Sequence, residues 1–316
     1  MTKFLNSCAT LWHLFRVNNL LIILLTLYLL QYFLVLPILN NNAYNNCFST
    51  LEWICFVLSI VFIAAGGNCV NDCMDRISDA VNKKKHKAIG QNFSYHTGII
   101  IYYIVTSIGL LLAIVPSYGE NIPWLFLCFM LTTISLWQYS TFWKKTIFLG
   151  NLLIATLSAL VVILPFLIPI NMYKGTNATM IQDLCLLMSI YGGFAFLLSL
   201  IRELIKTMED VRGDAHAHCR TIAVVYGIKK TKKIVLWLTA IVTIILIITT
   251  ILLVLYQKFI FATYVGIAIV LPCCLLLYEI FKIKNSKNCH NSSLITKGIM
   301  LTGILSTVLT YLFLLK

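Results

Sequence analysis

Charge is scarce in this sequence. Asp, Glu, Lys and Arg together make up 11% of its 316 residues, where a soluble globular domain carries about 25%. A chain this poor in charge cannot clothe a water-facing surface. With 60% hydrophobic residues and a mean hydropathy of +0.90, it reads as a polytopic membrane protein. Acidic residues are rarer still, 11 against 24 Lys and Arg. The resulting formal charge of +13 bears on membrane topology and phosphate-bearing partners, and gives no reason to invoke nucleic acid. A paired cysteine pattern is also missing. The 11 cysteines are scattered, most of them in apolar runs, and Cys69 and Cys73 have no matching second pair, which argues against a four-ligand zinc site. The first apolar run, about 20–36, lacks the small-residue cleavage site of a secretory signal and is expected to stay as a transmembrane helix.

What the sequence does contain is long apolar runs. Segments able to cross a bilayer, about 20 residues each, fall near 19–37, 51–70, 97–116, 123–140, 148–170, 182–203, 234–256, 260–281 and 294–315. The expected fold class is therefore an all-α membrane protein of nine transmembrane helices, a single polytopic domain spanning 1–316. The loops between these runs alternate in charge. Of the 24 basic residues, 21 fall on one side, including Lys3, Arg16, Arg76, the run Lys83, Lys84, Lys85 and Lys87, and Lys229, Lys230, Lys232 and Lys233; Lys174, Lys258 and Lys316 fall on the other. Basic loops stay inside, so the N-terminus is expected in the cytoplasm and the protein in the cytoplasmic (inner) membrane.

The few carboxylates are concentrated. Asn71, Asp75 and Asp79 are spaced i, i+4, i+8, with Asp72 beside them, so on a helix they line one face. A row of like charges on one face is unfavourable, and a hard divalent cation is the natural compensation. Mg²⁺ takes one or two carboxylates, waters and substrate phosphate oxygens. A second acidic stretch follows the sixth run, where Asp210 and Asp214 repeat the i, i+4 spacing. Both stretches fall at cytoplasmic ends. Each is preceded by small residues that let helices approach closely, Ala64-Ala65-Gly66-Gly67 and Gly192-Gly193. This repetition suggests pseudo-repeat halves of about 1–140 and 141–316. Lys144, Lys145, Arg202 and Lys206 are interleaved with the acidic stretches and suit a diphosphate.

These residues resemble the UbiA superfamily of intramembrane prenyltransferases. Its first signature, Asn-x-x-x-Asp-x-x-x-Asp, is met by Asn71, Asp75 and Asp79, and its second, Asp-x-x-x-Asp, by Asp210 and Asp214. Weaker echoes lie at Arg16-Val17-Asn18-Asn19, at Tyr139-Ser140 with Lys144-Lys145, and at Gly150-Asn151. The resemblance implies nine helices around a central cavity capped on the cytoplasmic side. It also implies Mg²⁺ held by Asn71, Asp75, Asp79, Asp210 and Asp214 against the diphosphate of a polyprenyl donor. Asp75, Asp79, Asp210 and Asp214 would then be catalytic, and Asn71, Lys144, Lys145, Arg202, Lys206 and Arg16 would contact the diphosphate. Tyr139 would shelter the allylic cation, since aromatic faces attract cations. The run Lys206-Thr207-Met208-Glu209-Asp210-Val211-Arg212-Gly213-Asp214 is most similar to the branch that prenylates geranylgeranylglyceryl phosphate, with Thr207 and His218 as departures. The expected acceptor is a small lipid precursor of that type, with an aromatic quinone precursor as the alternative.

Three rival classes fit less well. A secondary transporter more often carries its carboxylates mid-membrane on broken helices. A CDP-alcohol-type enzyme needs an Asp-Gly-x-x-Ala-Arg signature that is absent, and an intramembrane aspartyl protease needs Asp deep in two spans. Glu203 and Glu209 are expected as helix-end ion pairs with Lys206 or Arg212. His216-Ala217-His218-Cys219 is read as a solvated loop.

Overall fold

The computed structural model describes residues 10–82, 89–90 and 92–315, with the backbone alone at Lys287. Lys3, Lys83, Lys84, Lys85 and Lys87 of the expected basic loops lie outside the described residues. Among the described residues there is no strand, only an isolated bridge between Ile89 and Phe93. After a helical stretch at 10–15, the helices run α1 Val17–Asn41, α2 Thr50–Met74, α3 Arg76–Val81, α4 Tyr95–Gly119, α5 Pro123–Thr141, α6 Leu149–Met172, α7 Ala178–Glu209, α8 Val211–His216, α9 Ile222–Leu255, α10 Phe259–Lys282 and α11 Cys289–Leu315. Every expected span coincides with one of the long helices. Eight of these are long and apolar enough to cross a membrane, and the protein is an integral membrane protein. The exception is α5, whose 19 residues turn polar over Gln138-Tyr139-Ser140-Thr141.

Helices suit these segments because hydrocarbon offers no partner for backbone N–H and C=O groups, so each must be met within the segment. Of the five prolines inside these helices, two show how the rule is met. Pro37 and Pro272 have no N–H for the carbonyl four residues back, and both follow π-helical turns, Gln31–Val35 and Gly266–Val270, that contain that carbonyl. The wider turns absorb the mismatch without ending the helix.

The chain forms two compact units. The first comprises Met1–Leu25, Cys47–Gly150 and Arg212–Arg220. In it α2 packs along α4 and against α5. Gly66 and Gly67 make this approach possible: an added Cβ on Gly66 would overlap the Thr106 hydroxyl, and one on Gly67 would lie 2.8 Å from Leu136 Cδ1. At its C-terminal end α2 buries Cys69, Val70 and Cys73 in an apolar cluster with Leu14, Ile89 and Tyr102. That anchoring turns the opposite face, with Asn71 and Asp75, away from the cluster.

The second unit comprises Thr26–Asn46, Asn151–Val211 and Thr221–Lys316. Here α7 packs on α9 and α11, and α10 packs between α9 and α11. Polar side chains join the helices. The Tyr191 hydroxyl lies 2.7 Å from Thr310 Oγ1 and 3.2 Å from Ser306 Oγ, and the Tyr264 hydroxyl donates to the Thr302 carbonyl at 2.8 Å. Such bonds within a membrane contribute about 0.6 kcal/mol each. Tyr191→Phe is thus expected to cost about 1 kcal/mol, read as a small fall in the thermal midpoint with activity retained. In α9 the helix is broken at Gly227, whose φ of 79° lies in the left-handed region that glycine adopts without strain.

Candidate functional site

The first acidic signature straddles a helix junction. Asp75 ends α2, its N–H bonding the Asn71 carbonyl at 2.9 Å, and its own carbonyl receives the Asp79 N–H at 2.8 Å. The row is therefore carried across the break into α3 with its i, i+4, i+8 register intact. Asn71 is buried. Its Nδ2 donates to Asp75 Oδ2 at 2.8 Å, and its Oδ1 is buried with no hydrogen-bond partner. A buried amide oxygen without a donor is costly in isolation, and it suits a hard cation.

Two segments far apart in sequence meet this row. Lys144, in the turn Trp143–Lys145, forms an ion pair with Asp75 Oδ2. The turn sits tightly on the start of α6 because Gly150 leaves room; an added Cβ there would lie 2.9 Å from the Trp143 carbonyl. The segment 212–220 supplies Asp214, which is 3% exposed. Its Oδ1 accepts from Ser78 Oγ at 3.4 Å, and its carbonyl receives the Cys219 N–H at 2.8 Å. The neighbouring Gly213 N–H donates to Asn82 Oδ1 at 2.9 Å, and the Arg220 N–H to the Lys145 carbonyl at 2.9 Å. Burial pulls the Lys144 ammonium down, but the Asp75 carboxylate, Tyr139 and Asp214 together hold its pKa above the ordinary lysine value. Lys144 is thus a fixed positive charge between two carboxylates.

Gly213 explains how Asp214 comes so near. An added Cβ would lie 2.6 Å from both the carbonyl and the hydroxyl oxygen of Ser78 and would overlap the Asn82 amide. A backbone carbonyl cannot swing aside. Gly213→Ala is expected to cost about 1–3 kcal/mol in thermal unfolding, and to lower activity at least about tenfold by moving Asp214, since small misplacements at a site are expensive.

The remaining expected residues fall into two groups. In the first unit, Arg16 Nη2 lies 2.6 Å from Asp72 Oδ1, so its guanidinium is engaged by the acidic residue beside the row. Lys145 is exposed, and Tyr139 is partly buried. In the second unit, Asp210 ends α7, its N–H bonding the Lys206 carbonyl at 2.8 Å. Arg202 Nη1 and Lys206 Nζ lie 2.9 and 3.7 Å from the buried Glu203 carboxylate. Glu203 is the helix-end ion pair the sequence suggested, whereas Glu209 pairs with His290 at 3.2 Å, not with a cation of its own helix. Ser78 and Asn82 are not among the site residues expected from the sequence. Ser78 has only its position as a signal, one residue before Asp79, whereas Asn82, three after it, also fits the family's usual pattern in Asn82-Lys83. Among the described residues no group of three or more His, Cys, Asp or Glu is close enough by itself to hold a metal ion. Any metal here would take Asn71 and phosphate oxygens as well.

A model of the UbiA prenyltransferase family matches residues 42–301. The chain belongs to that family. Among UbiA relatives, a digeranylgeranylglyceryl phosphate synthase from Metallosphaera sedula is 31% identical over 183 residues, covering 58% of this chain and 59% of that protein. The chain thus spans under two thirds of that relative's length in the match. A synthase of the same name from Korarchaeum cryptofilum is 30% identical over 257 residues, covering 81% of this chain and 83% of that one. The UbiA fold is also shared with a solved UbiA homologue from Archaeoglobus fulgidus, described as bound to GPP and Mg²⁺. It has a TM-score of 0.54 and 13% identity, and the match covers 95% of this chain and 99% of that one.

Proposed function

We propose that this chain transfers a polyprenyl group from a prenyl diphosphate to a lipid-precursor acceptor of the geranylgeranylglyceryl phosphate type, in a Mg²⁺-dependent reaction within the membrane. The observation that carries this reading is the buried, unpartnered Asn71 Oδ1 beside an Asp75 carboxylate already joined to Lys144. Asn71, Asp75, Asp79 and Asp214, with Asp210 from the second signature, would hold Mg²⁺. When bound, the metal would neutralise charge building on the departing diphosphate. Relatives named as digeranylgeranylglyceryl phosphate synthases support the acceptor class, and the relative bound to GPP and Mg²⁺ supports the donor and the metal.

Reaction proceeds by cleavage of the allylic C–O bond, the electron pair leaving with the diphosphate. The acceptor hydroxyl oxygen forms the new C–O bond and releases its proton. Lys144 lends a positive charge that is in place before the bond breaks, which is where preorganised charge has most effect. Lys145 and Arg16 would add positive charge for the diphosphate, and the family resemblance implies the same role for Arg202 and Lys206. The Tyr139 ring would shelter the cation that forms. Water would capture that cation, which gives a physical reason for doing the chemistry inside a membrane protein. The excess of Lys and Arg on one side of the spans supports a site at the cytoplasmic face and an N-terminus inside. The repeated signature supports one domain of two related halves, about 1–140 and 141–316.

The test is diphosphate release by detergent-purified protein given geranylgeranyl diphosphate and Mg²⁺, with candidate acceptors added singly and products identified by mass spectrometry. Release coupled to a prenylated glyceryl phosphate is expected. Release with aromatic acceptors alone would replace the acceptor class. If no acceptor and no donor length gives Mg²⁺-dependent release from folded protein, the prenyltransferase reading fails.

A further inference from the structure

The lysines of the α9 start and the α10 end play no part in the proposed chemistry. Lys229, Lys230, Lys232 and Lys233 open α9 just past the break at Gly227, while Lys282 and Lys284 close α10 about 50 residues later. The structure brings the two groups together. Lys232 Nζ donates to the carbonyls of Phe281 and Ile283, at 2.9 and 3.1 Å, capping the C-terminal end of α10 and sitting over the Phe281 ring. With Lys232 so used, Lys229, Lys230, Lys233, Lys282 and Lys284 remain exposed around it.

Aromatic rings are set among them. Lys282 Nζ lies 4.0 Å from the Tyr278 ring centre and Lys230 Nζ 5.7 Å from that of Tyr226; both rings are at least half exposed. Exposed aromatic rings that pair with lysines where two spans meet water mark the depth of lipid headgroups. Within the two segments, 226–237 and 278–284, the sole acidic residue is Glu279. Five exposed cations facing one carboxylate repel one another, and an anion brought against them relieves that repulsion. A span that needs only to be oriented has no use for a sixth lysine that ties two basic segments into one patch.

We propose that this patch is a binding site for anionic phospholipid headgroups. The phosphodiester is received by Lys229, Lys230, Lys233 and Lys284, and the glyceryl and acyl parts lie along the apolar flank of α9 and α10. Membrane lipid is the occupant the geometry favours over a soluble anion, because the patch sits where two spans end and its rings are amphipathic.

The experiment measures binding of headgroup-labelled phosphatidylglycerol to the full chain in nanodiscs of phosphatidylcholine. The wild type is compared with a Lys229→Gln, Lys230→Gln, Lys233→Gln, Lys284→Gln variant that keeps the Lys232 cap. Each lysine is expected to contribute about fivefold, so the variant should lose on the order of several hundredfold in affinity. Binding to the wild type should also fall steeply with added NaCl, a readout that does not depend on the variant folding. Equal affinity of folded variant and wild type, or wild-type binding insensitive to salt, overturns the proposal. So does displacement of the lipid by millimolar inorganic phosphate, which would make this a soluble-anion site.

Discussion

Asp75→Asn is expected to lower turnover by at least about a thousandfold while leaving the protein folded and membrane-inserted. The substitution keeps the size of the side chain and one oxygen, so it isolates the charge. Asp75 ends α2, accepts from Asn71 Nδ2 and pairs with Lys144. An amide keeps the first, disturbs the second and loses the third. If the carboxylate is a metal ligand in the proposed reaction, the activity loss combines weaker metal binding with loss of charge stabilisation at the leaving group. A single donor to a developing charge is worth about 10²–10³ in rate, and a metal ligand affects more than one such interaction. Purified variant and wild type would be compared for diphosphate release over a range of Mg²⁺. A loss recovered fully by raising Mg²⁺ would mean the charge serves binding alone.

Lys144→Met is expected to lower turnover about a hundredfold or more, by a different route. Lys144 is a charge held in place by Asp75 and by the turn that Gly150 accommodates. Its removal takes the Lys144 charge from a partly buried carboxylate, which destabilises by up to about 3 kcal/mol. A double-mutant cycle separates the two effects. Asp75→Asn with Lys144→Met should unfold at a higher temperature than either single change would suggest by addition, because both charges of the pair are removed together. Its activity should stay as low as that of Asp75→Asn. Additive losses in stability would show that the pair is not coupled.

Much of this architecture is legible in the sequence. The apolar runs found each long helix because a membrane span is fixed by length and composition, which are local properties. The spacing of Asn71, Asp75 and Asp79 likewise gave the correct register, since i, i+4 neighbours stay together in any helix. The helix ends were less legible. α2 continues to Met74 and α7 to Glu209, beyond the apolar windows, because a helix carries its acidic end past the hydrocarbon. Lateral pairing was least legible. Nothing local joins Lys144 to Asp75, 69 residues away, or Arg16 to Asp72, 56 away. The role of Gly213 depends on Ser78 and Asn82, over 130 residues distant. Asp72, beside the row in sequence, is met by a guanidinium from 56 residues earlier. The π turns before Pro37 and Pro272 also escape a periodicity built on 3.6 residues.

The central claim is that Asn71, Asp75, Asp79 and Asp214 hold a divalent ion against the donor diphosphate. The most direct measurement is electron paramagnetic resonance of Mn²⁺, substituting for Mg²⁺, titrated into purified protein with an unreactive thio-analogue of geranylgeranyl diphosphate. The account predicts tight Mn²⁺ binding by the wild type that requires the analogue and is lost in both Asp75→Asn and Asp214→Asn. Equal Mn²⁺ binding by all three folded proteins would contradict it.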